Sequence, residues 1–188
     1  MKRLLDIVVS LMLLIGLSPL FLLICLLLYV ENRGAVLQKT KCPGLHEVIF
    51  YMWRFKTVCY VMHEGVFVRK QTRVGQFLKR TGLDNLPQLI NVLRGEMSLV
   101  GPRPRAMRSM PLERCEPLKK RHGMKPGIMG LAQVHGISSH NQKKQVELDH
   151  YYIKHQSFWL DLKIIYCSIK KYLKTALNRK KVEIDSYS

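Results

Sequence analysis

The stretch IVVSLMLLIGLSPLFLLICLLLYV, residues 7–30, decides how the rest of the chain is read. It carries no charge, and only Ser10, Gly16, Ser18 and Pro19 interrupt its apolar run. As one helix it would be about 36 Å long at ~1.5 Å per residue, enough to cross a hydrocarbon core of about 30 Å. A cleaved leader fits poorly. The run is long, Asp6 sits in the basic region ahead of it, and no small-x-small cleavage site follows. Two features favour a re-entrant helix–break–helix over a single span. Ser18-Pro19 lies at the centre, where proline removes a backbone donor and bends the helix. Lys2 and Arg3 before the run and the basic remainder after it favour the same, cytoplasmic side. Proline also occurs in ordinary spans, so the residues alone leave the two readings level.

The 188 residues include 31 Lys and Arg against 13 Asp and Glu, a formal net charge of +18. Only Lys2, Arg3 and Asp6 of these lie in residues 1–30, so the rest of the chain holds +17. That balance calls for a phosphate-bearing partner: a membrane surface, nucleic acid or a phosphorylated substrate. The length suits one domain with an appendage, and 47% hydrophobic content excludes wholesale disorder. Cys25, Cys42, Cys59, Cys115 and Cys167 form no C-x-x-C pair, which speaks against a disulfide scaffold or a zinc site and for a reducing compartment. The seven histidines show no metal-ligand spacing.

Past the apolar run, residues 33–58 read as short strands around a Cys-Pro-Gly turn at 42–44, and 59–68 carry little signal. Residues 74–81 predict an amphipathic helix bearing Lys79 and Arg80, broken by Gly82. Asp84 then opens a helix with Leu86, Leu89, Ile90 and Leu93 on one face, ended by Gly95. Residues 95–104 and 125–136 read as loops, with a basic, poorly patterned region between them. A polar helix runs to about His155, and Ser157 caps a last helix whose apolar positions include Ile165, Ile169, Tyr172, Leu173 and Leu177. Lys163, Lys170, Lys171 and Lys174 line its other face, which suits a helix lying on an anionic membrane and suits a core-packed helix equally. After Asn178 the tail reads as charged and frayed.

Three places carry chemistry. Asp84 at a helix start is most simply an N-cap, but the same geometry keeps a carboxylate ionised beside amide donors, where it can attack phosphorus and form an acyl phosphate. Arg103 in Gly-Pro-Arg-Pro is aimed by prolines on both sides and suits bidentate phosphate contact; a solvated turn arginine is the plainer alternative. Arg54 and Lys56, interleaved with Trp53 and Phe55, suit phosphate and also suit single-stranded nucleic acid, for which no recognisable motif is present.

From Lys2 to about Ile169 the sequence resembles the bacterial sugar transferase family, the monotopic polyprenyl-phosphate phosphoglycosyl transferases. The resemblance rests on KRLLD at 2–6, Ser18-Pro19, RFKT at 54–57, TRVGQFLKRTGLDNLPQLINVLRGEMSLVGPRP at 72–104, KPGIMGLAQVHG at 125–136 and ELDHYYIKHQSFWLDLKI at 147–164. It implies a membrane-associated fold, mainly α with a little β. Residues 1–32 form the re-entrant helix with its break at Ser18 and Pro19. Residues 33–178 form a small cytoplasmic catalytic domain with surface-lying amphipathic helices, and 179–188 a basic, flexible tail. The implied reaction moves a phosphosugar from a UDP-sugar to undecaprenyl (polyprenyl) phosphate at the cytoplasmic face of the bacterial inner membrane. It requires magnesium and starts a cell-surface glycan that downstream glycosyltransferases extend. Asp84 is the implied nucleophile, forming a covalent phosphosugar intermediate, and is also the implied metal ligand. Asn85 is its catalytic neighbour, and Arg103, Arg54, Lys56 and Gln133 bind substrate phosphate.

The chain departs from the family pattern at several positions. Asn85 stands where the family has Glu, a neutral amide that cannot act as a base. Thr40 and Cys42 replace a Gln and an Arg, Met129 replaces a Thr, and His135-Gly136-Ile137 stands where Asn-Gly-Arg is usual. A second reading follows: a catalytically impaired relative that binds the lipid phosphate or a partner at the membrane.

Overall fold

The computed structural model describes residues 2–63, 66–107, 123–137 and 141–185. Two apolar helices, α1 (Lys2–Gly16) and α2 (Ser18–Glu31), meet at a 63° bend. Each is about 21 Å long at ~1.5 Å per residue. No single described helix is long and apolar enough to cross a membrane, although this bent pair passes by length and composition together. Pro19 denies the Ile15 carbonyl its usual donor, and the Ser18 hydroxyl donates to that carbonyl instead at 2.8 Å.

A hairpin follows, β1 (Leu37–Pro43) against β2 (Ile49–Phe55); its turn lies at 44–48 and not at 42–44, because Cys42 and Pro43 still pair with Phe50 and Ile49. Residues 59–68, which gave little signal, belong to a second hairpin, β3 (Val58–His63) with β4 (Val66–Gln71). Helix α3 (Arg73–Thr81) is capped by the Thr72 hydroxyl, which accepts from the Gly75 N–H at 3.0 Å, and it ends at Gly82 with φ +74°. A 3₁₀ turn over Leu83–Asn85 then leads through Leu86-Pro87 into α4 (Gln88–Arg94). Both expected loops contain a strand: β5 (Ser98–Val100) pairs in parallel with β6 (Gly127–Met129). Short runs inside Gly- and Pro-rich segments carry no period, which hid them. Gly127 is required by the close approach, since a Cβ there would stand 2.1 Å from the Gly101 nitrogen. Helices α5 (Leu131–Val134), α6 (Gln142–Lys154) and α7 (Phe158–Asp185) complete the chain. Helix α7 runs past Asn178 to Asp185, and no Gly or Pro interrupts residues 179–185. Residues 108–122, most of the basic region, and Cys115 lie outside the described residues. Cys25, Cys59 and Cys167 are free thiols.

The main core joins β2, α4, β5 and α5 to Tyr152 and Ile164, and Leu5, Val9 and Leu14 of α1 pack against it. A second cluster sets Ile24 and Leu28 of α2 on Phe55 and Leu78. The apolar hairpin therefore rests one side on the domain, while Leu11, Met12, Ile15, Leu22, Leu26 and Val30 stay exposed.

The charged residues at the N-terminus clamp this arrangement. Lys2 Nζ lies 3.1 Å from Asp161 and donates to Tyr152 Oη and the Val100 carbonyl. Arg3 donates to the carbonyls of Val92 and Leu93 at the end of α4, where a cation also meets the negative helix terminus. Asp6 is buried and accepts from Ser98 Oγ at 2.8 Å and the Leu99 N–H at 2.9 Å. Asp6→Ala should cost about 2–3 kcal/mol, because two buried donors lose their acceptor, while Asp6→Asn should cost less. Thermal melts in detergent check both.

Candidate active site

Four pieces of chain converge. Arg54 follows Phe50 and Met52 on the inward face of β2, and that strand is held by Asn91 of α4. The Asn91 side chain accepts from the Trp53 N–H at 3.1 Å and donates to the Tyr51 carbonyl at 2.8 Å. Asn91 and Gln88 are fully buried polar residues on α4, where the sequence reading placed only an apolar face. The second piece is the turn after α3, carrying Asp84 and Asn85, with Lys79 one turn earlier. Arg103 comes from the segment after β5: it is exposed between buried Pro102 and Pro104, and Gly127 N–H donates to the Pro102 carbonyl at 2.9 Å. The fourth is α5, bearing Gln133.

Asp84 does not cap α4. Pro87 occupies the N-cap position with no side-chain bond, and Asp84 Oδ1 instead accepts from Asn85 Nδ2 at 3.1 Å. The 3₁₀ turn and the Leu86-Pro87 step separate Asp84 from the helix start, so the carboxylate is left for other work. Burial pushes its carboxyl above the usual carboxylate range, against the pull of Arg54, Arg103 and Lys79. Burial likewise lowers the Arg54 guanidinium, helped by Arg103 and opposed by Asp84. Arg54 Nε is buried without a hydrogen-bond partner among the described residues, a donor waiting for an anion. Lys56 sits beyond the end of β2, tied by its backbone to Val36 and Asn32, and is not among the charges acting on Asp84.

The fold holds the Asp84 proton more tightly than the unfolded chain does. Stability from this group is therefore full below the ordinary carboxylate range and is lost as pH rises through the folded value. Asp84→Asn should melt above wild type at pH 7, and the gap should close as the pH is lowered through the carboxylate range.

Beside Arg103 opens a cavity of about 230 Å³. Arg80, Met129, Gln133, Ile137, Lys171 and Tyr172 line it with Arg103. Gln133 Oε1 is buried with no partner among the described residues, while the Gln133 carbonyl accepts from Lys171 Nζ. A cationic pocket next to a part-buried carboxylate suits phosphoryl transfer through a covalent intermediate. A model of the bacterial sugar transferase family matches residues 1–175. The chain belongs to that family.

It is 37% identical over 187 residues to the undecaprenyl-phosphate glucose phosphotransferase of Komagataeibacter xylinus, covering 90% of this chain and 35% of that protein. It is equally identical over 183 residues to the UDP-glucose:undecaprenyl-phosphate glucose-1-phosphate transferase of Klebsiella pneumoniae, covering 90% and 39%. Over 177 residues it is 36% identical to EpsL, an uncharacterized sugar transferase of Bacillus subtilis (strain 168), covering 92% and 87%. The chain thus spans less than two fifths of the first two relatives. Within the family frame, the departures Asn85, Met129 and Ile137 lie at the site. Met129 and Ile137 make part of the cavity wall apolar, and Cys42 is fully buried in the core. The magnesium that the resemblance implies does not fit a protein-held site at Asp84. One carboxylate stands among three cations, its neighbour's amide donates to it, and no three His, Cys, Asp or Glu side chains gather among the described residues.

Proposed function

We propose that this chain transfers a sugar 1-phosphate from a UDP-sugar to undecaprenyl (polyprenyl) phosphate, starting a cell-surface glycan. The observation that carries the reading is Asp84 set among Arg54, Arg103 and Lys79 beside an open cavity. An ionised Asp84 oxygen attacks the phosphorus that bears the sugar. The bond from that phosphorus to the bridging oxygen breaks, and UMP leaves with the oxygen and the electron pair. A phosphate oxygen of the lipid then attacks the same phosphorus, displacing Asp84 as a free carboxylate and leaving a sugar on a lipid diphosphate. Arg103 and Arg54 hold the phosphoryl oxygens as charge builds on them, and Gln133 Oε1 accepts from a substrate hydroxyl. The names of the Komagataeibacter and Klebsiella relatives support the donor and acceptor classes.

Placement at the cytoplasmic face of the bacterial inner membrane belongs to the same proposal, with residues 1–32 re-entrant. Support comes from the exposed apolar side of α1 and α2 and from α7. Helix α7 buries Asp161, Ile164 and Ser168, one step around from the face marked by Ile165 and Ile169, and leaves Phe158, Trp159, Tyr166 and Ile169 exposed beside Lys163 and Lys170.

The test is intact-protein mass and UMP release in nanodiscs holding undecaprenyl phosphate, across a panel of UDP-sugars. One sugar should leave a phosphosugar adduct when the lipid phosphate is omitted and should turn over when it is present. The impaired-relative reading expects neither, with lipid phosphate still bound. Since only ionised Asp84 attacks, the acid limb of kcat/KM should lie above the ordinary carboxylate range. Arg54→Gln should move that limb higher, because a cation that favours the carboxylate is gone.

A further inference from the structure

Asn85 is the departure nearest the chemistry, and its bonds define what it does. Its Nδ2 lies 3.1 Å from Asp84 Oδ1 and 3.2 Å from the Gly82 carbonyl. Both are acceptors, so the amide must turn its nitrogen toward them; reversed, its oxygen would face a carboxylate and a carbonyl. The other end agrees. Gln88 Nε2 donates to Asn85 Oδ1 at 2.8 Å, and Gln88 is 1% exposed, in the core under the turn. Gln88 therefore holds Asn85, and Asn85 holds one oxygen of Asp84, leaving the second oxygen to attack.

A divalent cation shared by positions 84 and 85 needs oxygen lone pairs from both side chains converging on one point. Here the side of Asn85 turned to Asp84 is its nitrogen, and its oxygen is turned to Gln88. Arg54, Arg103 and Lys79 already supply positive charge at the same carboxylate, so a further cation would be repelled.

We propose that the Asp84–Asn85 pair is a hydrogen-bonded nucleophile that holds no divalent cation before substrate arrives, with Asn85 as a positioning residue in place of a metal-binding carboxylate. This rests on the reading of Asp84 as nucleophile. Asn85→Glu then does more than restore a family residue. It replaces a donor with a second carboxylate beside the first, a repulsion that a shared cation or a proton on one of the pair relieves.

The experiment uses the full chain in phosphatidylcholine nanodiscs, with Mn²⁺ as the probe and its free six-line electron paramagnetic resonance signal as the readout. Substrate-free wild type should leave that signal undiminished at concentrations where Asn85→Glu removes about one equivalent. Wild type that takes up one equivalent, and loses it in Asp84→Asn, would overturn the proposal. The positioning role has its own readout, the rate of adduct formation at saturating UDP-sugar. Asn85→Ala should slow it about tenfold, the scale of one charge-assisted hydrogen bond, with KM little changed. Asn85→Ser, which keeps a donor, should recover part of the rate. An unchanged rate in Asn85→Ala rejects the positioning role. If no UDP-sugar gives adduct or UMP, the transferase reading fails, while the Mn²⁺ titration still judges the pair by itself.

Discussion

Asp84→Ala should release UMP at least about 1000-fold more slowly than wild type and form no phosphosugar adduct, because removal of the covalent nucleophile leaves only binding and charge stabilisation. Among the described residues Asp84 is the one carboxylate acting on Arg54, so no neighbour stands ready to substitute. Asp84→Asn separates chemistry from folding. It keeps the shape of the turn, relieves a buried carboxylate and should be as inert as the alanine variant while melting higher at neutral pH. Arg103→Ala should behave differently, weakening both substrate binding and turnover, and Arg103→Lys should recover only part, since a point charge replaces a planar fork. Equal UMP release by wild type and Asp84→Ala would remove Asp84 from the mechanism.

Replacing Ser18 with Leu and Pro19 with Ala should convert the hairpin into a spanning helix. Pro19 restored to an N–H donor satisfies the Ile15 carbonyl within the helix, so the bond from the Ser18 hydroxyl is no longer needed. The 63° bend then has no cause, and residues 7–30 become a continuous apolar helix long enough to cross. Opposing the change are the contacts of Lys2, Arg3 and Asp6 with β5, α4 and Asp161, all of which break if the N-terminus leaves. The full shift should therefore appear when Asp6→Ala is added to the double variant. A lone cysteine inserted between Met1 and Lys2, in a background without native cysteines, reports the side and leaves the Lys2 contacts in place. Impermeant maleimide on intact cells should leave the wild type unlabelled and label the triple variant. Labelling of the wild type would show a simple span.

Gln88 and Asn91 show where reading along the chain reaches its limit. Both fall at helical spacing beside Leu89 and Val92, and a buried polar side chain is recognisable only once its partners are known. The partner of Asn91, the backbone of β2, is brought in by the fold, whereas Gln88 bonds Asn85 three residues before it. Lys79 is similar, legible as a helix-end cation and assigned to the site only by its nearness to Asp84.

The sequence by itself determined the features that local chemistry controls. The break at Ser18-Pro19 follows from a missing N–H, the ends of α3 and α4 from glycines at positive φ, the β1–β2 hairpin from its turn, and the start of α7 from Ser157, whose hydroxyl accepts from the Leu160 N–H. The long string around Asp84 and Arg103 also placed the chain in its family. Only the tertiary structure decided the rest. It made strands of two segments that look like loops, because β5 and β6, far apart in sequence, are stabilised by pairing with each other and by Asp6 from α1. Tertiary packing also brought Arg54 of β2 and Arg103, from beyond β5, to the Asp84 carboxylate. Charges so far apart along the chain act on one another only once the fold sets them side by side, and no local spacing encodes that.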